Sequence, residues 1–400
     1  MPLPSEMDQK DKDPDSDLLS FSELGLPESV QRAVDELEFT TCTAVQSKVL
    51  PYSLSQHDVC AQANTGTGKT AAFLTTILSQ HIEFPLDQVN PIGSPRALVL
   101  APTRELTMQI KQDMNALSRH TRIRSLAVVG GKRVKEQRDE LTKRRIDVVI
   151  ATPGRLLDFI GQGVVDLSRI EILVIDEADR MLDMGFIPDV RRIVRQTPER
   201  RRRQTMFFSA TFNDDVRRLI NQWMFEPIQV EIPSESIAAD SIDQRFWVVG
   251  RDEKRQTLYK FMKRCDPIRT LIFVNRRSEV KKVTKSLQKR NIPCEGLSGE
   301  MPQRKRTATL NRFKRGETRH IVATDVAGRG LHVEGITHVV NYDLPDIVED
   351  YVHRIGRTGR AGAEGISISF VSESDGFVLP ELEELLGHKV SCTTPSYELT

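Results

Sequence analysis

Short apolar runs rich in β-branched residues recur along this 400-residue chain, each followed by a longer stretch of helical periodicity. The first set is DVCAQA from 58, RALVLAP from 96, IDVVIAT from 146, IEILVID from 170 and QTMFFSA from 204. Strands that alternate with helices pair in parallel, and parallel strands are buried on both faces, so the expected fold class is α/β with helices covering a parallel sheet. The rhythm halts across EPIQVEIPSESIAADSIDQ, residues 226–244, which is rich in Pro, Ser and acids. It restarts with RTLIFVN from 269, IPCEGLS from 292, HIVATD from 320 and HVVNYDL from 338. Four hundred residues would crowd a single core. The chain is therefore read as a disordered N-terminus (1–17), a first α/β domain (18–232), a linker (233–242), a smaller α/β domain (243–388) and a flexible tail (389–400).

Composition narrows the classes. Fifty-seven Lys and Arg against fifty-six Asp and Glu leave a formal charge of +1, so a polyanionic partner would have to be held by local basic patches. The five cysteines show no C-x-x-C pair, which reads as reduced structural thiols in a cytoplasmic protein. The polar, acidic N-terminus lacks the pattern of an export signal, and no apolar segment approaches the ~20 residues needed to span a bilayer, so no membrane association is expected.

Directly after the first strand-like run lies ANTGTGKT, residues 63–70, opening a helical stretch. This is a Walker A phosphate loop with Ala63 in the leading Gly position, followed by Asn64, Thr65, Gly66, Thr67 and Gly68. The glycines let successive N–H groups face phosphate oxygens, and the helix adds its positive end. Lys69 would neutralise the β- and γ-phosphates, and Thr70 would ligate Mg²⁺. A plain strand-to-helix turn could carry the same letters, but the strand before and the helix after both fit. ILVIDEAD, residues 172–179, then acquires a purpose. At the carboxyl end of its strand Asp176 can hold Mg²⁺ through water while Glu177 polarises the attacking water. The alternative is that these acids simply enter solvent.

ANTGTGKT together with DEAD at 176–179 resembles the DEAD-box RNA helicases, and the resemblance runs over residues 20–388. It implies two tandem RecA-like domains, an ATP-binding one and a helicase C-terminal one. Within FTTCTAVQ, Gln46 would read the adenine edge, supported by Phe39 and Phe21; Cys42 and Ala44 stand where the family usually has Pro, and Glu38 where it has Gly. A Gln near a Phe has no value alone. SAT, with Ser209 and Thr211, would bond the DEAD segment and its Asp179 and couple hydrolysis to strand separation.

In HRIGRTGR, residues 353–360, the arginines Arg354, Arg357 and Arg360 are bidentate phosphate donors, although a lone basic loop in solvent looks the same. The resemblance makes Arg357 and Arg360 arginine fingers on the γ-phosphate and adds His353 to the coupling group. ATDVAGRG would bring Asp325 and Arg329 to the nucleotide and Thr324 and Gly330 to the nucleic acid. Gly328 stands where Ala is usual, and His332 replaces an Asp that often contacts ribose.

Three segments after strand-like runs should crowd one sheet edge: Pro102, Thr103, Arg104 and Glu105; Gly130 and Gly131; Thr152, Pro153, Gly154 and Arg155. Their Thr, Arg and N–H donors suit phosphate and sugar oxygens and cannot discriminate bases. Asn275, Gly299, Gln303 and Arg306 match further RNA-contacting motifs of the resemblance. The run RRRR at 200–203 reads more readily as a solvated loop than as an extra RNA contact.

DEADRM, RGLH and VLPELEELLGHKV resemble most the bacterial RhlB type, which implies work beside an endoribonuclease and polynucleotide phosphorylase in mRNA decay. The expected function is an RNA-stimulated ATPase that opens short RNA duplexes, using ATP and Mg²⁺. An ATP-gated RNA clamp or assembly scaffold would share every motif.

Overall fold

The computed structural model describes residues 18–396 apart from 64, 65, 87, 89, 132, 133, 233–241, 300, 329–332, 334 and 360–363. The chain divides into two compact units, Met1–Ile232 and Pro233–Thr400. Each is built on one seven-stranded sheet whose neighbouring strands all pair in parallel.

The first sheet contains β1 (Val59–Gln62), β2 (Ala97–Leu100), β3 (Ser125–Val128), β4 (Val148–Ala151), β5 (Ile172–Ile175), β6 (Gln204–Ser209) and β7 (Ile228–Glu231). They lie in the order β3-β4-β2-β5-β6-β1-β7. The second contains β8 (Ile242–Val248), β9 (Thr270–Phe273), β10 (Glu295–Leu297), β11 (His320–Ala323), β12 (His338–Asn341), β13 (Gly365–Val371) and β14 (Cys392–Thr393). Its order, β10-β11-β9-β12-β13-β8-β14, places each strand where its counterpart stands in the first sheet.

The two-faced burial of parallel strands is visible in adjacent residues of β6. Phe208 packs on Phe73 of the helix Lys69–Glu83, with ring centroids 5.5 Å apart. Phe207 points the other way, towards Trp223 of the helix Asp214–Trp223, at 6.5 Å. Successive strand side chains alternate faces, so one dipeptide anchors both helical layers. In the second unit Trp247 stacks on Phe370 at 6.1 Å on one face, while Leu271, Phe273 and Phe313 fill the other.

Five strands lie in stretches that the apolar-run pattern skips. β3 and β7 are half-exposed edge strands. In β13, GISISFV, Ser367 and Ser369 break the apolar run although both are fully buried, and Ser369 Oγ accepts a bond from Asn341 Nδ2 at 3.0 Å. β8 begins at Ile242, inside the stretch expected to be linker, and within the expected tail Cys392–Thr393 pair with Phe246 and Trp247. All five cysteines are free thiols, and among the described residues no helix is long and apolar enough to cross a membrane.

The helix Glu28–Glu36 ends with Phe39 N–H on the Val34 carbonyl at 3.1 Å, which forces Glu38 into the left-handed region at φ 58°. A side chain there carries roughly 1 kcal/mol of strain that glycine avoids. Glu38→Gly should therefore raise the stability of the first unit by about 0.5–1 kcal/mol, read as an upward shift of its thermal midpoint.

Candidate functional site

Parallel pairing brings the carboxyl ends of β1, β6 and β5 side by side, and the loops leaving them hold the acids, the lysine and the glycines. After β1 the chain turns through Gly66 and Gly68 at φ 92° and 91°, conformations that glycine alone adopts without strain. Gly68 is also required by space: a Cβ there would lie 2.5 Å from Gln46 Nε2. The helix Lys69–Glu83 starts at once, so its free N–H groups face the loop. Lys69 is buried, with Nζ 3.3 Å from the Ala63 carbonyl and 3.6 Å from Asp176 Oδ1. Thr70 follows it in the first turn, half-buried. Asn64 and Thr65 lie outside the described residues.

The helix Ala44–Leu54 begins with a capping box, Thr43 N–H to Gln46 Oε1 at 2.8 Å and Gln46 N–H to Thr43 Oγ1 at 3.4 Å. Two further bonds tie this turn to the phosphate loop, Thr43 Oγ1 to the Thr67 carbonyl at 2.7 Å and Gln46 Nε2 to the Gly68 carbonyl at 3.0 Å. A carboxamide has two donors and two acceptor sites, so after these bonds Gln46 still has one of each for an adenine edge. Phe21 is buried and Phe39 partly exposed, their rings 6.0 Å apart. The structure thus brings Phe21, Phe39, Gln46 and the loop together. Thr43 escaped the sequence reading, although its T-x-x-Q spacing is the capping-box signature.

Asp176 has no exposed surface, and its Oδ1 accepts the Glu177 N–H at 2.9 Å. Burial pushes this carboxyl well above the usual range, the Lys69 ammonium pulls it back and Glu177 pushes it further. Its Oδ2 is buried without a hydrogen-bond partner. A buried, unsatisfied carboxylate oxygen opposite a phosphate loop is chemically suited to a hard cation, so the residues present fit Mg²⁺ with Thr70 and Asp176 as its holders. Glu177 occupies the left-handed region at φ 52° and its Oε2 meets Arg180 Nη1 at 2.8 Å, both side chains being buried. Arg180 was missed, although a cation three residues after Glu177 on a helical turn is within reach of it.

Asp179 links this segment to the end of β6. Its N–H donates to Ser209 Oγ at 3.2 Å, and its Oδ2 accepts the N–H groups of Ala210 at 3.0 Å and Thr211 at 3.3 Å.

The residues after β2, β3 and β4 occupy the other half of the same edge. Leu100 and Val128 both register with Ala151, so Pro102–Glu105, Gly130–Gly131 and Thr152–Arg155 follow adjacent strand ends. Two helices begin there: Arg104–Leu117, where Thr103 Oγ1 accepts the Leu106 N–H at 3.3 Å, and Pro153–Gly161. Both present N–H groups suited to anions. Gly131, at φ 68°, lies against the Arg104 guanidinium. Arg155 pairs with Asp158 at 3.1 Å and covers the Phe159 ring.

In the second unit Asn275, Gly299 and Thr324 follow β9, β10 and β11, adjacent strands again. Arg306 donates to the Ala327 carbonyl at 2.9 Å. A Cβ on Gly328 would lie 2.6 Å from the Phe273 ring, so glycine at this position leaves room for Phe273. Arg354 differs from its expected part. It is 1% exposed and bonds Asp325 through Nε at 2.5 Å and Nη2 at 2.6 Å, Asn275 Oδ1 at 2.8 Å and the Asp343 carbonyl at 2.5 Å. It is therefore a buried hub that fixes Asp325 and Asn275, not an open phosphate donor. The sequence pattern of alternating Arg and Gly cannot separate the inward arginine from its neighbours. Arg357 is buried, with Nε on the His353 carbonyl at 3.1 Å, and His353 Nδ1 lies 3.6 Å from Asp350. Arg329, Gly330, His332 and Arg360 lie outside the described residues, as does the side chain of Gln303.

Arg354→Ala should destabilise the second unit by about 3 kcal/mol, because it leaves the half-buried Asn275 amide oxygen and Asp325 carboxylate without their partner. Arg354→Lys should recover less than half of that, since one ammonium cannot replace a planar fork. Denaturant titration with separate probes on each unit measures both; an unchanged second transition in Arg354→Ala would contradict the hub.

The DEAD/DEAH box helicase family matches residues 43–219, and the helicase conserved C-terminal domain matches residues 253–362. The chain is 47% identical to the ATP-dependent RNA helicase RhlB of Pseudomonas syringae pv. tomato over 379 residues, 95% of this chain and 96% of that protein. Among solved structures it resembles S. cerevisiae Dbp5 bound to RNA and ADP BeF3, with 30% identity, TM-score 0.82, and coverage of 94% of this chain and 95% of that one. It also resembles Mss116p bound to ssRNA and AMP-PNP, with 29% identity, TM-score 0.84, and coverage of 96% and 82%. With two RecA-like units, a phosphate loop facing buried acids, and these matches across most of its length, the chain belongs to the DEAD-box family of ATP-dependent RNA helicases, with RhlB-type enzymes among its relatives.

Proposed function

We propose that this enzyme couples RNA-stimulated ATP hydrolysis to the local opening of short RNA duplexes. The observation that carries the proposal is the division of one strand-end edge: phosphate-loop and acidic residues follow β1, β5 and β6, while the Thr, Arg and N–H donors follow β2, β3 and β4. Hydrolysis and strand binding therefore share a rigid sheet. The bonds between Asp179 and Ser209, Ala210 and Thr211 offer a direct connection for coupling.

In this mechanism Gln46 orients the base, the loop N–H groups and Lys69 hold the phosphates, and Glu177 takes a proton from the attacking water. Thr70 and, through water, Asp176 would hold Mg²⁺, which would supply charge neutralisation at the phosphates. Arg357 and Arg360 complete the charge stabilisation when ATP and RNA draw the two units together, a contribution of about 10³ to 10⁵ in rate for arginine fingers. RNA is held by phosphate and 2′-hydroxyl groups without regard to sequence. RNA-bound relatives support that reading, since the matched chains in those structures carry RNA together with a nucleotide analogue. A bent strand cannot remain in a regular duplex, so duplexes are pried open locally.

The resemblance to RhlB-type enzymes supports a place in bacterial mRNA decay, beside an endoribonuclease and polynucleotide phosphorylase. Five free thiols fit a reducing cytoplasm.

Strand displacement on a short RNA duplex tests the proposal. ATP should release the labelled strand, and release without nucleotide would contradict it. ATP-dependent retention of RNA without release would favour the clamp. Glu177→Gln should lower RNA-stimulated turnover by roughly 10² to 10⁴ while leaving ATP affinity within a few-fold. Unchanged turnover would remove Glu177 from its assigned role.

A further inference from the structure

A cleft of about 820 Å³ opens on the first unit, lined by five arginines and a single acid, Glu199. It lies where the turn Arg200–Arg202 leads into β6, at the amino end of that strand. The helicase motifs sit at the carboxyl end, roughly 17 Å away along a six-residue strand.

The arginines divide by what they touch. Arg200 donates to the carbonyls of Asn221 and Met224 at 2.8 and 3.2 Å, and buried Arg203 donates to the Trp223 carbonyl at 3.1 Å. Those two close the end of the helix Asp214–Trp223 and are structural. Arg191 and Arg195, on the last turn of the helix Ile187–Val194 and just beyond it, are exposed and have no carboxylate partner among the described residues. Arg201 lies over the Phe225 ring at 4.6 Å, its charge likewise unpaired among the described residues. Three uncompensated guanidinium groups thus converge from two elements on one concavity, in a chain whose overall charge is only +1.

We propose that this cleft binds an acidic segment of a partner protein. Guanidinium forks match carboxylates in bidentate geometry, and all five cations are arginine. Val194, Pro198 and Trp223 contribute an apolar floor, which phosphates do not need and an apolar side chain flanked by acids does. A nucleic acid strand finds less here: Trp223 is 5% exposed and the Phe225 face is covered by Arg201, so no aromatic face is open for a base to stack on. The inference is independent of the unwinding mechanism, because none of these residues belongs to the nucleotide or strand-binding edge.

The test uses the full chain and a short fluorescein-labelled peptide of alternating Glu and Asp with one central Leu. Its counterpart with Gln and Asn in place of the acids serves as the neutral control. Anisotropy should show binding of the acidic peptide alone, weakening as salt rises. The double substitution Arg191→Glu, Arg195→Glu should weaken that binding roughly tenfold or more, and Arg191→Gln, Arg195→Gln should weaken it less. The glutamine pair guards against the penalty of negative charge at a helix end. RNA-stimulated ATPase activity should stay within roughly twofold of the parent in both. Equal binding of the neutral peptide, or unchanged affinity in both variants, would overturn the proposal. Loss of affinity for labelled single-stranded RNA with peptide binding intact would assign the cleft to RNA instead.

Discussion

Parallel pairing is the constraint on which everything else in each unit depends. When every neighbouring strand runs the same way, every strand ends on the same edge, and the backbone groups left unpaired there must be answered by loops and helix starts. In the first sheet the register aligns Leu100 with Ala151 and Ile175, Ile175 with Phe207, and Gln62 with Ser209. One row of strand ends therefore delivers Thr152, Pro102, Asp176, the end of β6 and the phosphate loop in lateral sequence. The same row puts Lys69 3.6 Å from a carboxylate more than 100 positions away in the chain.

Side-chain bonds then convert this row into a device. Gln46 and Thr43 clamp the start of the helix Ala44–Leu54 onto the phosphate loop through the carbonyl oxygens of Gly68 and Thr67, so any movement of the two is shared. Asp179 accepts two N–H groups beyond β6 and donates its own to Ser209, which ties the acidic segment to the next strand end. The Glu177–Arg180 pair adds a constraint of another kind, because it fixes the Glu177 side chain against a buried cation. In the second unit a single guanidinium, that of Arg354, organises Asn275 and Asp325, which sequence motifs treat as separate.

Much of this was legible beforehand, for identifiable reasons. Strands buried on both faces must be apolar throughout, and nine of the fourteen announced themselves as runs such as ILVI and ALVL. β13 did not, because Ser367 and Ser369 interrupt its apolar run although both are buried. β3 and β7 lie at sheet margins, where half-exposure permits mixed composition. At the site, motif spacing singled out Gly66, Gly68, Lys69 and Asp176, and the fold brings Lys69 to within 3.6 Å of Asp176 beside the two left-handed glycines. What could not be read was which way a side chain turns. Arg354 and Arg357 stand three positions apart in one motif, yet only the neighbours that fold around Arg354 make it a hub. RRRR likewise reads as a solvated loop, whereas Arg200 and Arg203 bond to the end of a distant helix.

We propose, as the centre of this account, that the phosphate-loop edge of the first sheet becomes competent only when ATP and RNA together bring the arginines of the second unit to it. Förster transfer between one dye on each unit of the full chain measures this most directly. The account predicts a rise in transfer when a non-hydrolysable ATP analogue and single-stranded RNA are both present, and little change with either alone. Transfer that is the same in all four conditions would contradict it.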